Sequence, residues 1–158
     1  MSEETIVRHC SPTLAGMKTG SLFGCCFPDK DALCCEIREL NRMLGSKGLR
    51  VMPLQWCEEK RRALIYIYRP AQLKKDLERS ECGQLLRDAG YCGESCSRCI
   101  MQLMRKLQSS SDFPHEIGLF LGYPPEDVAG FIAHRDCGCK CVGCWKVYGD
   151  EQKCRRLF

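Results

Sequence analysis

The apolar positions of this chain recur with clear periods, separated by glycine, proline and charge. Between Asp29 and Gly48, the residues Leu33, Ile37, Leu40 and Leu44 fall at four-three-four spacing, which puts them on one face of a helix. Asp29 and Asp31 suit its start, and the run from Gly45 to Gly48 suits its close. Leu49 to Trp56 and Ala63 to Arg69 are rich in strand formers, above all Ile65-Tyr66-Ile67-Tyr68, and the charged turn Cys57 to Arg62 joins them into a predicted antiparallel hairpin. Pro70 begins a further helix with Leu73 and Leu77 on one face, and a short one spans Glu81 to Ala89 before Gly90. A longer helix runs from about Glu94 to Gln108 with Cys96, Ile100, Leu103 and Leu107 inward, and Ser109 to Asp112 ends it.

The segment Phe113 to Phe131, FPHEIGLFLGYPPEDVAGF, holds two helix starts. Pro114 and Pro124-Pro125 suit a first turn, where a missing N–H costs nothing, and Glu116 and Glu126-Asp127 place negative charge at the positive end of the helix dipole. Gly118 and Gly122 limit the first of these helices to about two turns. At the chain's ends, Leu14 to Lys18 and Ser21 to Cys26 read as extended segments around a glycine turn, Cys144 to Tyr148 as a strand, and Asp150 as the cap of a last helix. These elements predict an α+β fold. A small mixed or antiparallel sheet, made of the N-terminal segments, the central hairpin and the WKVY strand, is covered by helices in two layers.

Length and composition change this picture little. The 158 residues fit a single domain, 1–158, able to bury a core without staples. No apolar run approaches the roughly eighteen residues of a membrane span, and the acidic N-terminal MSEETIVRH is not a secretory signal, so a cytoplasmic location is expected. The net charge of +4 is spread along the chain, with clusters only at Lys60-Arg61-Arg62 and Lys153-Arg155-Arg156. Without interleaved aromatics, solvated faces explain it better than a nucleic-acid groove.

The 15 cysteines do change it. Their odd number and the expected reducing compartment argue against a disulfide framework. Cys137, Cys139, Cys141 and Cys144, in DCGCKCVGC, have the spacing of thiolate ligands to zinc or an iron–sulfur cluster, with Gly138 and Gly143 giving the loop its freedom. The alternation of the first three equally suits one face of a strand. Cys92, Cys96 and Cys99 share the CxxxCxxC spacing of cluster loops, but four-three spacing on a helical face favours packing. Cys25-Cys26 and Cys34-Cys35 read as core and edge residues. Among enzyme motifs, His115-Glu116 lacks the second histidine of a zincin, since Leu119 stands there, and the Gly16/Gly20/Gly24 series lacks the GK[ST] of a phosphate loop. Lys18 with Thr19 and Ser21 has the makings of a simpler anion site.

Four motifs, HCSPTLAGMKTGSLF, ALIYIYRP, FPHEIGLFLGYPPEDVAGF and CWKVYGD, resemble those of an uncharacterised bacterial family of clostridial type, a domain of unknown function, from about Ile6 to the end. Members of that family usually continue past WKVYGD with a further basic helix, so the resemblance is consistent with a truncated C-terminus. It also directs attention to the polar residues within the motifs: Arg8, His9, Cys10, Lys18, Tyr66, Arg69, His115, Glu116, Tyr123, Lys146 and Tyr148. If the motif segments meet at one edge of the sheet, these residues line a cationic pocket with a His–Glu pair placed for proton transfer or ligand binding. The alternative is structural, with caps, packed tyrosines and a paired arginine. Two functions of different class follow. One is a binding or redox-related protein of anaerobic metabolism holding a metal, an iron–sulfur cluster or haem; the other is an enzyme acting on a small anionic substrate with His115/Glu116 or Cys10. The expected partner is thus a small molecule or a metal, and no feature points to a membrane or a protein partner.

Overall fold

Three strands, β1 (Gly20–Cys26), β2 (Arg50–Cys57) and β3 (Arg62–Tyr68), form an antiparallel sheet in the order β1-β3-β2 in the computed structural model, which describes residues 1–93, 95–135 and 137–158. The predicted hairpin is its β2–β3 pair, with Val51 opposite Ile67 and Met52 opposite Tyr66. β3 is apolar on both sides. Ala63, Ile65 and Ile67 enter one core with Ile6, Cys10, Phe23, Leu33 and Ile37, while Tyr66 and Tyr68 enter another with Leu73, Leu86, Leu103 and Phe120. A strand buried on both faces needs cover on both, so the helices make three layers where two were expected. α1 (Glu3–Leu14) and α2 (Lys30–Gly45) cover one face. The other lies under α3 (Pro70–Leu77), α4 (Ser80–Asp88), α5 (Cys96–Ser109), α6 (Ile117–Phe120) and α7 (Pro125–His134).

A β-bulge at Leu54 serves this arrangement. Pro53 pairs with Ile65 and Gln55 with Leu64, so Leu54 is the extra residue on edge strand β2. The slip turns the end of the strand over: Leu54 faces the α5 side, yet Trp56 reaches the α2 side and meets Phe27 edge-on at 5.2 Å.

α2, α3, α4 and α7 occupy the predicted segments to within a residue or two, and the Asp29 carboxylate caps α2 by accepting from the Ala32 N–H at 3.0 Å. α5 carries the predicted face, with Cys99, Ile100, Leu103 and Leu107 buried; its expected start at Glu94 lies outside the described residues. Three readings are corrected. Residues 3–14, with Leu14, are helical, because Ser2 caps the N-terminus and the Arg69 guanidinium takes the last carbonyls, donating to Thr13 O at 2.9 Å and Leu14 O at 2.7 Å. α6 is one turn, since Gly122 adopts φ +81° and ends it. The WKVY segment does not join the main sheet: among the described residues β5 (Lys146–Val147) pairs only with β4 (Cys141–Val142), and α8 (Glu151–Leu157) follows, capped by Asp150 as expected. No helix of the described residues is long and apolar enough to cross a membrane.

One close approach locks β1 to α6. The Tyr66 hydroxyl donates to Phe120 O at 2.5 Å, and a Cβ on Gly20 would lie 2.5 Å from the Tyr66 ring and 2.9 Å from that same carbonyl. Gly20→Ala is expected to cost about 1–3 kcal/mol in urea unfolding through overpacking. Gly45→Ala, which meets nothing within 4 Å, should be neutral or slightly stabilising. Equal effects from the two substitutions would refute the packing account.

Candidate functional site

α6 and α7 are joined by Leu121–Pro124, and this turn, with the segment around β5, encloses a pocket of about 360 Å³. Phe113, His115, Tyr123, Val128, Phe131 and Trp145 make its walls largely aromatic, and Asp127, Cys144 and Lys146 complete them. Tyr123 and Trp145 stack at 4.8 Å, and the His115 ring stands edge-on to Phe131 at 5.0 Å. Gly118 is needed here. A Cβ in its place would come within 2.9 Å of Val128 and 3.1 Å of the Tyr123 ring, pushing the tyrosine out of the wall.

Asp127 holds the two halves of the pocket together. Its fully buried carboxylate accepts from the backbone N–H groups of Tyr148 and Gly149, both at 2.8 Å, from the Trp145 indole N–H at 2.7 Å, and from the Cys154 thiol at 3.3 Å. Burial pushes its pKa up, but these four donors outweigh that and leave the carboxyl below the ordinary value. Cys154 responds in the opposite sense. Burial, reinforced by donation to a carboxylate, raises its thiol to about 11. Asp127 also explains why the WKVY strand is short, because the N–H groups that a longer pairing would use are taken.

Of the residues singled out in the sequence, His115, Tyr123, Lys146 and Cys144 meet in this pocket. Lys18 stands behind it, its ammonium 5.0 Å from the centre of the Tyr123 ring. Burial lowers the pKa of Lys18, and the nearby thiols of Cys144 and Cys10 oppose that shift. Neither the His115 imidazole nor the Tyr123 hydroxyl has a hydrogen-bond partner among the described residues, and no described carboxylate lies within ion-pair distance of Lys18.

The other candidates lie elsewhere. Arg8 and His9 are on the exposed side of α1, His9 stacked on Phe23 at 5.7 Å. Cys10 is wholly buried on the opposite side; burial pushes its thiol to about 11 despite the charge of Lys18 and the Ser21 hydroxyl. Tyr66 is core, and Arg69 spends its guanidinium on the carbonyls of Thr13, Leu14 and, at 3.2 Å, Lys47. Glu116 turns away from the pocket to accept from the Lys106 ammonium at 2.7 Å and the Tyr91 hydroxyl at 3.1 Å, beneath the layer of α5. Cys137 and Cys144 are exposed, while Cys139 and Cys141 are half-buried. Among the described residues, no three histidine, cysteine or carboxylate side chains are arranged to hold a metal ion, and Asp136, beside Cys137, lies outside them. Phe113, Asp127, Phe131 and Trp145 escaped the sequence reading. Asp127 looked like a first-turn acid, which it also is.

Since the folded-state pKa of Asp127 is depressed, its stabilisation is complete above the unfolded value near about 4 and is lost as pH falls through the lower folded value. Asp127→Asn is therefore expected to cost about 1–3 kcal/mol at neutral pH, as the amide turns a donor toward Trp145 or Cys154. The gap between wild type and variant should shrink as acid protonates the aspartate. Urea unfolding at pH 7 and in acid measures it, and a gap independent of pH would contradict the assignment.

The comparisons with known proteins name a family and nothing finer. No curated protein and no solved structure matches the chain. Residues 6–158, nearly all of it, match the family described as a protein of unknown function, DUF3793, and the chain belongs to that family.

Proposed function

We propose that this protein binds a small planar molecule bearing an acidic group, seated in the pocket between α6, α7 and the Cys144–Lys146 segment. The observation that carries the reading is the convergence there of unpartnered polar groups on aromatic walls: the His115 imidazole and the Tyr123 hydroxyl, with the Lys18 ammonium behind Tyr123 and no described carboxylate to neutralise it. Binding sites pair apolar walls with a few convergent polar groups in this way. At about 360 Å³ the pocket is at the small end of the ligand-site range of about 300–1,000 Å³, which favours a one- or two-ring molecule over a haem. Binding is a better reading than catalysis by the residues first considered, since the Cys10 thiol is buried and protonated at neutral pH and Glu116 is committed to Lys106 and Tyr91.

The test uses 2-naphthoate as probe. With Trp56→Phe in place, Trp145 is the single tryptophan and sits in the pocket wall. Titration should quench or shift its fluorescence, the neutral naphthalene-2-methanol should bind about tenfold more weakly, and Lys18→Gln should erase that difference. Phe131→Ala, which removes an aromatic wall of the pocket and adds no second tryptophan, should weaken the response to both. Equal binding of the acid and the alcohol, or no binding, would count against the proposal. So would a stoichiometric metal or a visible chromophore after anaerobic purification, which would shift the function to thiolates such as Cys137, Cys139, Cys141 and Cys144.

A further inference from the structure

A second recess lies at the far edge of the sheet, where the end of α2, the start of β2 and the start of α3 meet. Its volume is about 630 Å³, and it contains three arginines, Arg38, Arg42 and Arg50, with no acidic side chain among the described residues that line it. The sequence does not show this group: Arg38 and Arg42 are one turn apart on α2, and Arg50 arrives from the next element, eight residues on. None of the three makes an ion pair or side-chain hydrogen bond with a described residue, although the chain has almost as many acids as bases. Arg42 in the last turn of α2 complements the negative end of that helix dipole. That does not account for Arg38 a turn earlier, or for Arg50 on a strand.

The rest of the recess is rigid. Asn41 fixes α2 to β2 by exchanging two hydrogen bonds with the backbone of Val51, at 2.8 and 2.9 Å. Arg69 ties the 45–49 turn to the end of α1 through Lys47 O, and its three carbonyl acceptors make it a positioning residue. Pro70 and Ala71, which open α3, also line the recess, and no side chain caps that helix end. Three guanidinium forks and an uncapped helix start, held around a concavity, match the needs of clustered phosphate oxygens, which accept several N–H donors at once.

We propose that this recess binds a small molecule carrying a di- or triphosphate, at a site separate from the aromatic pocket. A concave site of this size fits one phosphate chain, whereas a nucleic acid or a membrane surface calls for a longer basic track, and the basic cluster at the Lys60–Arg62 turn lies at the opposite end of the β2–β3 hairpin.

Pyrophosphate is the probe, followed by calorimetry at physiological salt. It should bind at one site, at least about tenfold more tightly than orthophosphate, and each of Arg38→Gln, Arg42→Gln and Arg50→Gln should weaken it about tenfold. Arg50→Lys should lose much of the affinity despite keeping the charge, because an ammonium lacks the fork. The triple variant Lys60→Gln/Arg61→Gln/Arg62→Gln removes three charges elsewhere, more than any single arginine variant, and should leave binding within about twofold. Since all three arginines are exposed, the variants should keep the melting temperature of the wild type. An equal loss in the turn variant, or failure of pyrophosphate to bind, would overturn the proposal. So would arginine-dependent binding of anionic vesicles or RNA without competition by pyrophosphate. The naphthoate response is measured separately, and its loss would leave this site untouched.

Discussion

The buried carboxylate of Asp127 is the contact on which the C-terminal third of the molecule depends. One side chain at the start of α7 collects two backbone N–H groups, an indole and a thiol from the last third of the chain, and so decides where residues 145–154 lie. A buried charge is tolerable only when nearly all its lone pairs are used, and this one has four donors on two oxygens. Its neighbours are shaped for the fit. Glycines 130 and 149 leave no room for a Cβ, since the Tyr148 ring presses on the first and the Glu126 side chain on the second. The pocket wall formed by Trp145 and Lys146 is therefore a consequence of the fold of 125–127, and the two sequence motifs PPED and CWKVYGD form one structural unit.

The sheet imposes a second constraint. With β3 buried on both faces, neither helical layer can be dispensed with, and each is tied to the sheet by a polar contact at its margin. On one side Arg69 gathers the carbonyls that end α1; on the other the Tyr66 hydroxyl meets the carbonyl that ends α6. Both contacts satisfy carbonyls of a helix's last turn, which have no partner inside the helix. That is why an arginine and a tyrosine within the ALIYIYRP motif carry structure and leave the pocket to others.

Periodicity revealed most of the elements and little of their arrangement. α2 and α5 were plain because their inward residues are strongly apolar at helical spacing, and the hairpin because IYIY has few other homes. α1 was hidden because its inward face is sparse, with Ile6, the small Cys10 and the polar Thr13, and because Pro12 lies within it. The continuous apolar run of β3 is what burial on both faces requires, since a strand with one solvated face would alternate with polar residues. For the site, residue type was the only guide, and type does not separate an arginine that saturates carbonyls from one that awaits an anion. Arg69 and Arg50 look alike in sequence, and only the folded chain shows that the first is fully engaged while the second is not.

The abundance of cysteine has no single cause. Cys10, Cys25, Cys82 and Cys99 are buried among apolar side chains, and burial raises the thiols of Cys10 and Cys82 to about 11, so at neutral pH they are uncharged fillers of small volume, whereas Cys154 is buried against the Asp127 carboxylate and donates to it. Cys92 lies before α5 and is exposed, so the expected shared helix face is reduced to Cys96 and Cys99, half-buried and buried. Cys144 differs in kind. It is exposed, lines an aromatic pocket and lies close enough to Lys18 to oppose part of the fall that burial causes in that ammonium's pKa, so its sulfur meets solvent and ligand space beside a positive charge. Counting sulfurs groups these residues together, whereas burial separates those that pack from those open to chemistry, and among the latter Cys144 is the one that shares a wall with His115 and Tyr123.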